Sequence, residues 1–333
     1  MPEVSRGKAF AAAGLLAAAA AGAQPQVPQS APAGPEAQAP IAEVVVEGRH
    51  AGPRLWTVRS GDHVLWILGT VSPLPKKMIW QPDAVQAVLQ QSQEVVPAWP
   101  AYGIGANPFT ALRVYIEWRR LQKPPDHLPL QKTLPPALYA RVEALEARYD
   151  PHDSTLEKLR PMLAAERLTT RVLDANGLAA HNEVQQTVLR LAREQGVKVR
   201  QDKLRIEDPV KVLKDVGTAP LPGEIACLDA VVTRLETDLR PMRERASAWA
   251  LGDVERLRQL PHTDERSACV AAVSTSERVR SLIQRAQDDW LQVVEDSLAR
   301  NRGTLALQSM DRLLGEQGAL AALKARGYAV EGP

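Results

Sequence analysis

The chain has 333 residues with 41 basic and 39 acidic side chains, and a formal charge of +2 lacks the basic excess expected of a nucleic-acid binder. A hydrophobic fraction of 45% excludes a disordered chain, and beyond the first 25 positions no apolar run reaches the ~18 residues that a membrane-spanning helix needs. Two cysteines are too few for a disulfide scaffold or a cysteine-based zinc site.

Residues 1–23 read as a secretory signal. Arg6 and Lys8 form the positive end, Ala9 to Ala20 the apolar stretch, and Ala21-Gly22-Ala23 a small-x-small cleavage site. The alternative is an alanine-rich tail on a cytoplasmic protein. Gln24 to Pro40 is rich in Pro, Ala and Gln and reads as an extended linker. A periplasmic or secreted protein with one domain over residues 41–333 is therefore expected.

Strands open that domain. The β-branched run Glu43–Glu47 is one; Leu55–Val58 and His63–Leu68 form a hairpin across the Ser60-Gly61-Asp62 turn and end at Gly69-Thr70. Pro82 begins a helix whose Val85, Val88 and Leu89 share a face, and Val95-Val96 reads as a short strand. From residue 105 the apolar period is helical: Leu112 to Trp118, Leu138 to Leu145, Leu156 to Leu168, then Val184 to Leu191 with Gly196 as a stop. Long patterns run from Leu221 to Leu251 and from Ser276 to Arg300. Thr304–Leu307 reads as a strand, Gln317 to Arg326 as a helix and Tyr328–Val330 as a closing strand. The expected fold is α/β: a helix-rich single domain with a central sheet built from N-terminal hairpin strands and C-terminal strands.

Three local signatures coincide: Leu55-Trp56-x-Val58 with Val64-Leu65-Trp66-Ile67-Leu68-Gly69-Thr70-Val71; Trp249-x-x-Gly252-Asp253-x-x-x-Leu257; and Leu314-Gly315-x-x-Gly318-x-Leu320-x-x-Leu323-x-x-x-Gly327-Tyr328-x-Val330. In this order, over roughly residues 50–331, they resemble the TraB/GumN family, related to the Tiki metalloproteases. The resemblance implies an α/β fold whose sheet takes strands from both chain ends, with the site where those ends meet. It also implies a metal-dependent hydrolase whose members carry a Gly-x-x-His after the early strand, a Glu on the next strand and a second Gly-x-x-His before the closing Gly-rich helix. Two imidazoles and a carboxylate can hold a divalent ion whose bound water becomes nucleophilic. Here the first histidine position holds Ser72, the glutamate position Ala98, and the second histidine position Arg312, with Ser309 at its glycine. A hydroxyl, a methyl and a fixed guanidinium charge are poor replacements, so no metal and no cofactor are expected.

No obvious substitute set exists. His50, His63, His127, His152 and His262 have loop neighbours, and only His181, at a helix start beside Asn182, invites a functional role. No His-Glu-x-x-His, Gly-x-Ser-x-Gly or phosphate loop is present. Ser72 and Lys76 suggest a serine–lysine dyad, but the prolines between them extend the segment to roughly 12 Å. A mouth lined by Ser72, Lys76, Lys77 and Arg312 would attract an anion. Tryptophans read as core, with Trp80 and Trp99 as the candidate ligand-stacking exceptions, and Arg240 to Arg245 reads as a solvated helix face. Asp311 offers a partner for Arg312. Cys227 and Cys269 would pair as a disulfide in an oxidising compartment, the alternative being two buried thiols. Two functions remain: a binding or regulatory protein of the cell envelope, its partner an unidentified ligand or envelope protein, or an envelope hydrolase with a rearranged site.

Overall fold

The computed structural model describes residues 52–98, 101–104, 107–124, 127–152, 155–179, 182–200, 203–261 and 265–333. The expected strand at Glu43–Glu47 and the segment 1–40 lie outside the described residues. Every described residue belongs to one compact unit, Arg49–Pro333.

The hairpin forms as its turn chemistry dictates. Strands β1 (Leu55–Ser60) and β2 (His63–Thr70) pair antiparallel, Ser60 opposite His63, and Gly61 takes φ +60°, a conformation that suits a residue without Cβ. After β3 (Leu74–Pro75), helix α1 (Asp83–Gln91) leads to β4 (Glu94–Val96). Much later in the chain, β9 (Gly303–Ser309) inserts between β2 and β4, parallel to both. The last strand, β10 (Ala329–Glu331), returns to pair antiparallel with β1. With β7 (Lys198–Val199) on the far edge, the order is β10-β1-β2-β9-β4-β7. The α/β class and the union of both chain ends in one sheet are as the sequence led us to expect.

β9 is buried along its first six residues, as a strand covered on both faces must be. Leu65, Ile67, Leu68, Leu305 and Leu307 fill this core, with Trp290 and Leu298 from the long helix α12 (Glu277–Arg300).

Between β4 and β9 the chain builds a helical region. It comprises β5 (Ala101–Ile104), α2 (Pro108–Leu121), α3 (Leu130–Thr133), α4 (Pro136–Tyr149), α5 (Pro161–Ala175), β6 (Leu178–Ala179), α6 (Glu183–Glu194), β8 (Lys203–Ile206), α7 (Pro209–Gly217), α8 (Leu221–Thr237), α9 (Leu239–Leu251), α10 (Val254–Gln259) and α11 (Glu265–Val273). A second core joins Leu138, Val142 and Leu145 of α4 to Leu168 and Val172 of α5 and to Leu228, Val231 and Leu235 of α8.

Two expected helices differ. The pattern from Leu221 to Leu251 is broken at Asp238, which caps α8 and α9 together. The pattern from Leu156 divides into a 3-10 turn (Leu156–Lys158) and α5, because Pro161 can only start a helix. At that division Arg160 is buried and paired with Glu224 of α8; its Nε donates to Glu224 Oε2 at 2.9 Å. Arg160 Nη1 and Nη2 also reach the Gly217 carbonyl at 3.4 Å, so one guanidinium ties the starts of α5 and α8 to the end of α7.

Candidate functional site

In a parallel sheet the carboxyl ends of the strands all open on one edge, where open α/β sheets bind ligands. Here that edge is the end of β2 and β9, with Thr70 directly beside Ser309 in register. The segment 72–73, with a cis Ser72–Pro73 bond, leaves β2 there, and α13 (Met310–Leu314) leaves β9. A cleft of about 940 Å³ lies against this edge, a volume suited to a small-molecule site.

Thr70, Ser72, Ser309 and Asp311 line its sheet side, with Asn182 at the cap of α6. Asn182 Nδ2 donates to Thr70 Oγ1 at 3.1 Å, and the Thr70 hydroxyl donates to the Gln308 carbonyl at 3.3 Å, which locks the sheet side. The apolar floor comes from Met162, Leu163 and Leu173 of α5, Leu213 and Val216 of α7 and Val231 of α8. Trp118 and Leu121 of α2 form a further wall.

The remaining wall is charged. Arg234 Nη1 donates to Glu265 Oε1, joining α8 to α11. Arg266 lines the cleft beside them. Burial depresses the Arg234 guanidinium below its usual range; Arg245 and Arg266 push the same way, while Asp238 and Asp311 oppose them. Asp311 accepts a hydrogen bond from Arg245 Nη2 at 3.1 Å. Arg245 is therefore not the solvated residue the sequence suggests: its side chain is 12% exposed and also donates to the Leu257 carbonyl. Arg240, by contrast, is exposed and pairs with Glu244.

Three buried polar atoms of lining residues have no hydrogen-bond partner among the described residues: Ser309 Oγ, Arg234 Nε and Glu265 Oε2. One is a donor, one an acceptor and one a hydroxyl able to act as either. Such atoms are costly to bury unless something satisfies them, and in native proteins they call for a specific explanation.

Of the residues singled out from the sequence, Ser72 lines the cleft. Lys76, Lys77 and the half-buried Arg312 are not in its described lining. Lys76 Nζ instead pairs with Asp174 at 3.0 Å, and Lys77 is exposed. Ala98 lies just beyond the end of β4, buried, its backbone N–H donating to Gln185 Oε1 at 3.0 Å. His181 and Trp99 lie outside the described residues, as do His50 and His262. His63 is half-buried, with Nδ1 2.8 Å from the Leu298 carbonyl, and is not the solvated turn residue expected. Trp80 packs edge-on against Trp249 at 5.3 Å as part of the core, whereas Trp118, 40% exposed, reaches the cleft.

A buried carboxylate does exist on β4, but at the wrong end. Glu94 sits at the amino end of the strand, accepting from Ser297 Oγ at 2.8 Å with Arg200 Nη1 at 3.5 Å. Across the cleft edge the donor set is the hydroxyls of Thr70, Ser72 and Ser309, the Asn182 amide and the single carboxylate of Asp311, and among the described residues no three His, Cys, Asp or Glu side chains gather to hold an ion. These residues do not fit the divalent metal that the family pattern implies.

The disulfide joins α8 to α11 along the cleft: Cys227 and Cys269 are bonded with Cα atoms 4.5 Å apart, and both line it. Sequence reasoning missed Arg234 and Glu265, since an arginine within a helix and a glutamate at the start of another carry no spacing signal that unites them.

The middle signature also acquires a physical meaning. Trp249 Nε1 donates to the Gly69 carbonyl at 2.7 Å, Gly252 ends α9 in the left-handed conformation, and Asp253 caps α10 through Arg256 N at 2.9 Å. No curated protein and no solved structure matches the chain. Residues 54–332, nearly the whole described unit, match the TraB/PrgY/gumN family, and the chain belongs to that family.

Proposed function

We propose that this protein is exported and binds a small ligand in the cleft at the β2–β9 edge, without the metal-dependent hydrolysis associated with its relatives. The observation that carries the reading is the set of three polar atoms, Ser309 Oγ, Arg234 Nε and Glu265 Oε2, that surround one cleft without a hydrogen-bond partner among the described residues. A ligand offering both donors and acceptors would complete them, and the apolar floor would take its nonpolar part. Ser72, Ala98 and Arg312 at the three family positions support binding over cutting, because none is a good ligand for a divalent ion beside an imidazole. The signal-like residues 1–23 and the Cys227–Cys269 bond are the support for export to the periplasm or beyond. In this reading the protein acts in the cell envelope as a binding or regulatory component.

The test is a thermal-unfolding titration with zinc, cobalt and manganese, run with a metal-dependent peptidase assay. No saturable shift and no activity are expected. Saturation at a hundredfold excess over the dissociation constant would add about 2.7 kcal/mol of stability, so a chelator-reversible upward shift at micromolar metal would overturn the reading. Hydrolysis that needs no metal and is lost in Ser72→Ala would favour the rearranged hydrolase instead.

A further inference from the structure

Helix α2 is the exposed element of the fold that its composition explains least. It begins at Asn107, whose side chain accepts from Thr110 N at 2.7 Å, and runs for 14 residues. Its inner face, Val114 and Leu121, faces the rest of the unit, where α2 packs on α7. A surface helix is then expected to show a polar outer face. Instead Phe109 is 79% exposed, Leu112 56%, Tyr115 58% and Ile116 40%. At 100° per residue these four fall on one outward stripe.

Arginines occupy the same side of the helix. Arg113, Arg119 and Arg120 are all exposed. Arg120 pairs with Glu117 at 2.9 Å, whereas Arg113 and Arg119 have no ion-pair partner among the described residues. An outward stripe of aromatic and aliphatic side chains bordered by guanidinium groups is the pattern of a helix that lies in the plane of a lipid interface. The rings and alkyl groups enter the headgroup boundary while the cations meet anionic phosphates.

A second copy of the chain fits the same face poorly. A helix of 14 residues is about 21 Å long, and its four exposed apolar side chains offer roughly 400–500 Å² along one stripe, against about 800 Å² per partner in a standard interface. A two-fold contact through α2 would also bring the two arginine sets against each other, like charge to like. We therefore propose that the outer face of α2 docks this protein onto an anionic phospholipid surface. Trp118 of the same helix lines the cleft, so docking would set the cleft wall at the lipid boundary. The proposal stands independently of what the cleft binds.

The experiment is co-sedimentation of the full chain with vesicles of phosphatidylcholine and phosphatidylglycerol in equal parts, and with phosphatidylcholine alone. Binding to the anionic vesicles is expected, weakening as salt rises, with little binding to the neutral ones. The double variant Leu112→Ser, Ile116→Ser and the double variant Arg113→Glu, Arg119→Glu should each reduce partitioning about tenfold or more. Far-ultraviolet circular dichroism and the melting temperature serve as the check that both variants are folded; all four positions are exposed. Binding by folded variants that equals the parent, or equal binding to neutral vesicles, would overturn the proposal. So would a concentration-dependent dimer, seen by sedimentation equilibrium, that the Leu112→Ser, Ile116→Ser variant dissolves.

Discussion

Arg160 and Glu224 show how one residue pair can hold a region together. Their side chains are 3% and 0% exposed, and two helix starts and the end of a third meet at them. Removing both from water costs several kcal/mol, which a well-formed pair offsets; removing only one leaves the other charged and buried. Arg160→Ala and Glu224→Ala are each expected to destabilise the fold by about 3–5 kcal/mol in urea unfolding, while Arg160→Met with Glu224→Leu together should cost far less. If the singles and the double cost the same, the pair is not coupled in this way. None of this was legible in the sequence. Arg160 stands before a proline and Glu224 in the first turn of a helix, and both read as surface residues until the third dimension brings them within 2.9 Å. The cleft pair Arg234 and Glu265 was hidden for the same reason: they lie 31 positions apart on separate helices.

At the scale of elements the local chemistry was far more readable. The hairpin follows from its turn, β9 from an unbroken apolar run, and the closing helix from its glycines. Gly318 has no room for a Cβ, which would lie 2.7 Å from the Gly315 carbonyl and 2.8 Å from those of Arg312 and Leu313. What failed was punctuation. Asp238 ends one helix and starts another, and the mark is Pro241 in the first turn of α9, which cannot sit inside a continuous helix; the apolar period of Leu221 to Leu251 runs straight through that break. Outward-facing apolar residues misled too, because the period in α2 does not say which face meets the protein. Gly252 shows what punctuation is worth where it is present. Its φ is +73°, and an added Cβ would lie 2.6 Å from the Gly52 carbonyl. Gly252→Ala is therefore expected to cost about 2 kcal/mol or more, combining left-handed strain with a backbone collision. Chemical denaturation of the variant measures it; a loss below half that value would mean that the α9–α10 corner can relax.

For the whole molecule, the Cys227–Cys269 bond closes a loop across α8 to α11 whose ends are 42 positions apart. In the chain-entropy picture it stabilises the folded state by about 4 kcal/mol. Reduction, or Cys227→Ala with Cys269→Ala, should lower the unfolding free energy by about that amount; equal melting with and without reductant would show that the packing of α8 on α11 suffices alone. The sheet carries a different consequence, one of timing. Val64 pairs with Gly303 and Val96 with Ala306, so the strand between β2 and β4 is made long after both of its neighbours. Until it arrives, β2 and β4 have no shared partner, and the loop that must close spans most of the protein. A nascent chain that stops short of Gly303 carries the residues of its hairpin and of α1 to α12 but not the strand that joins β2 to β4, so the central sheet waits until β9 has been made.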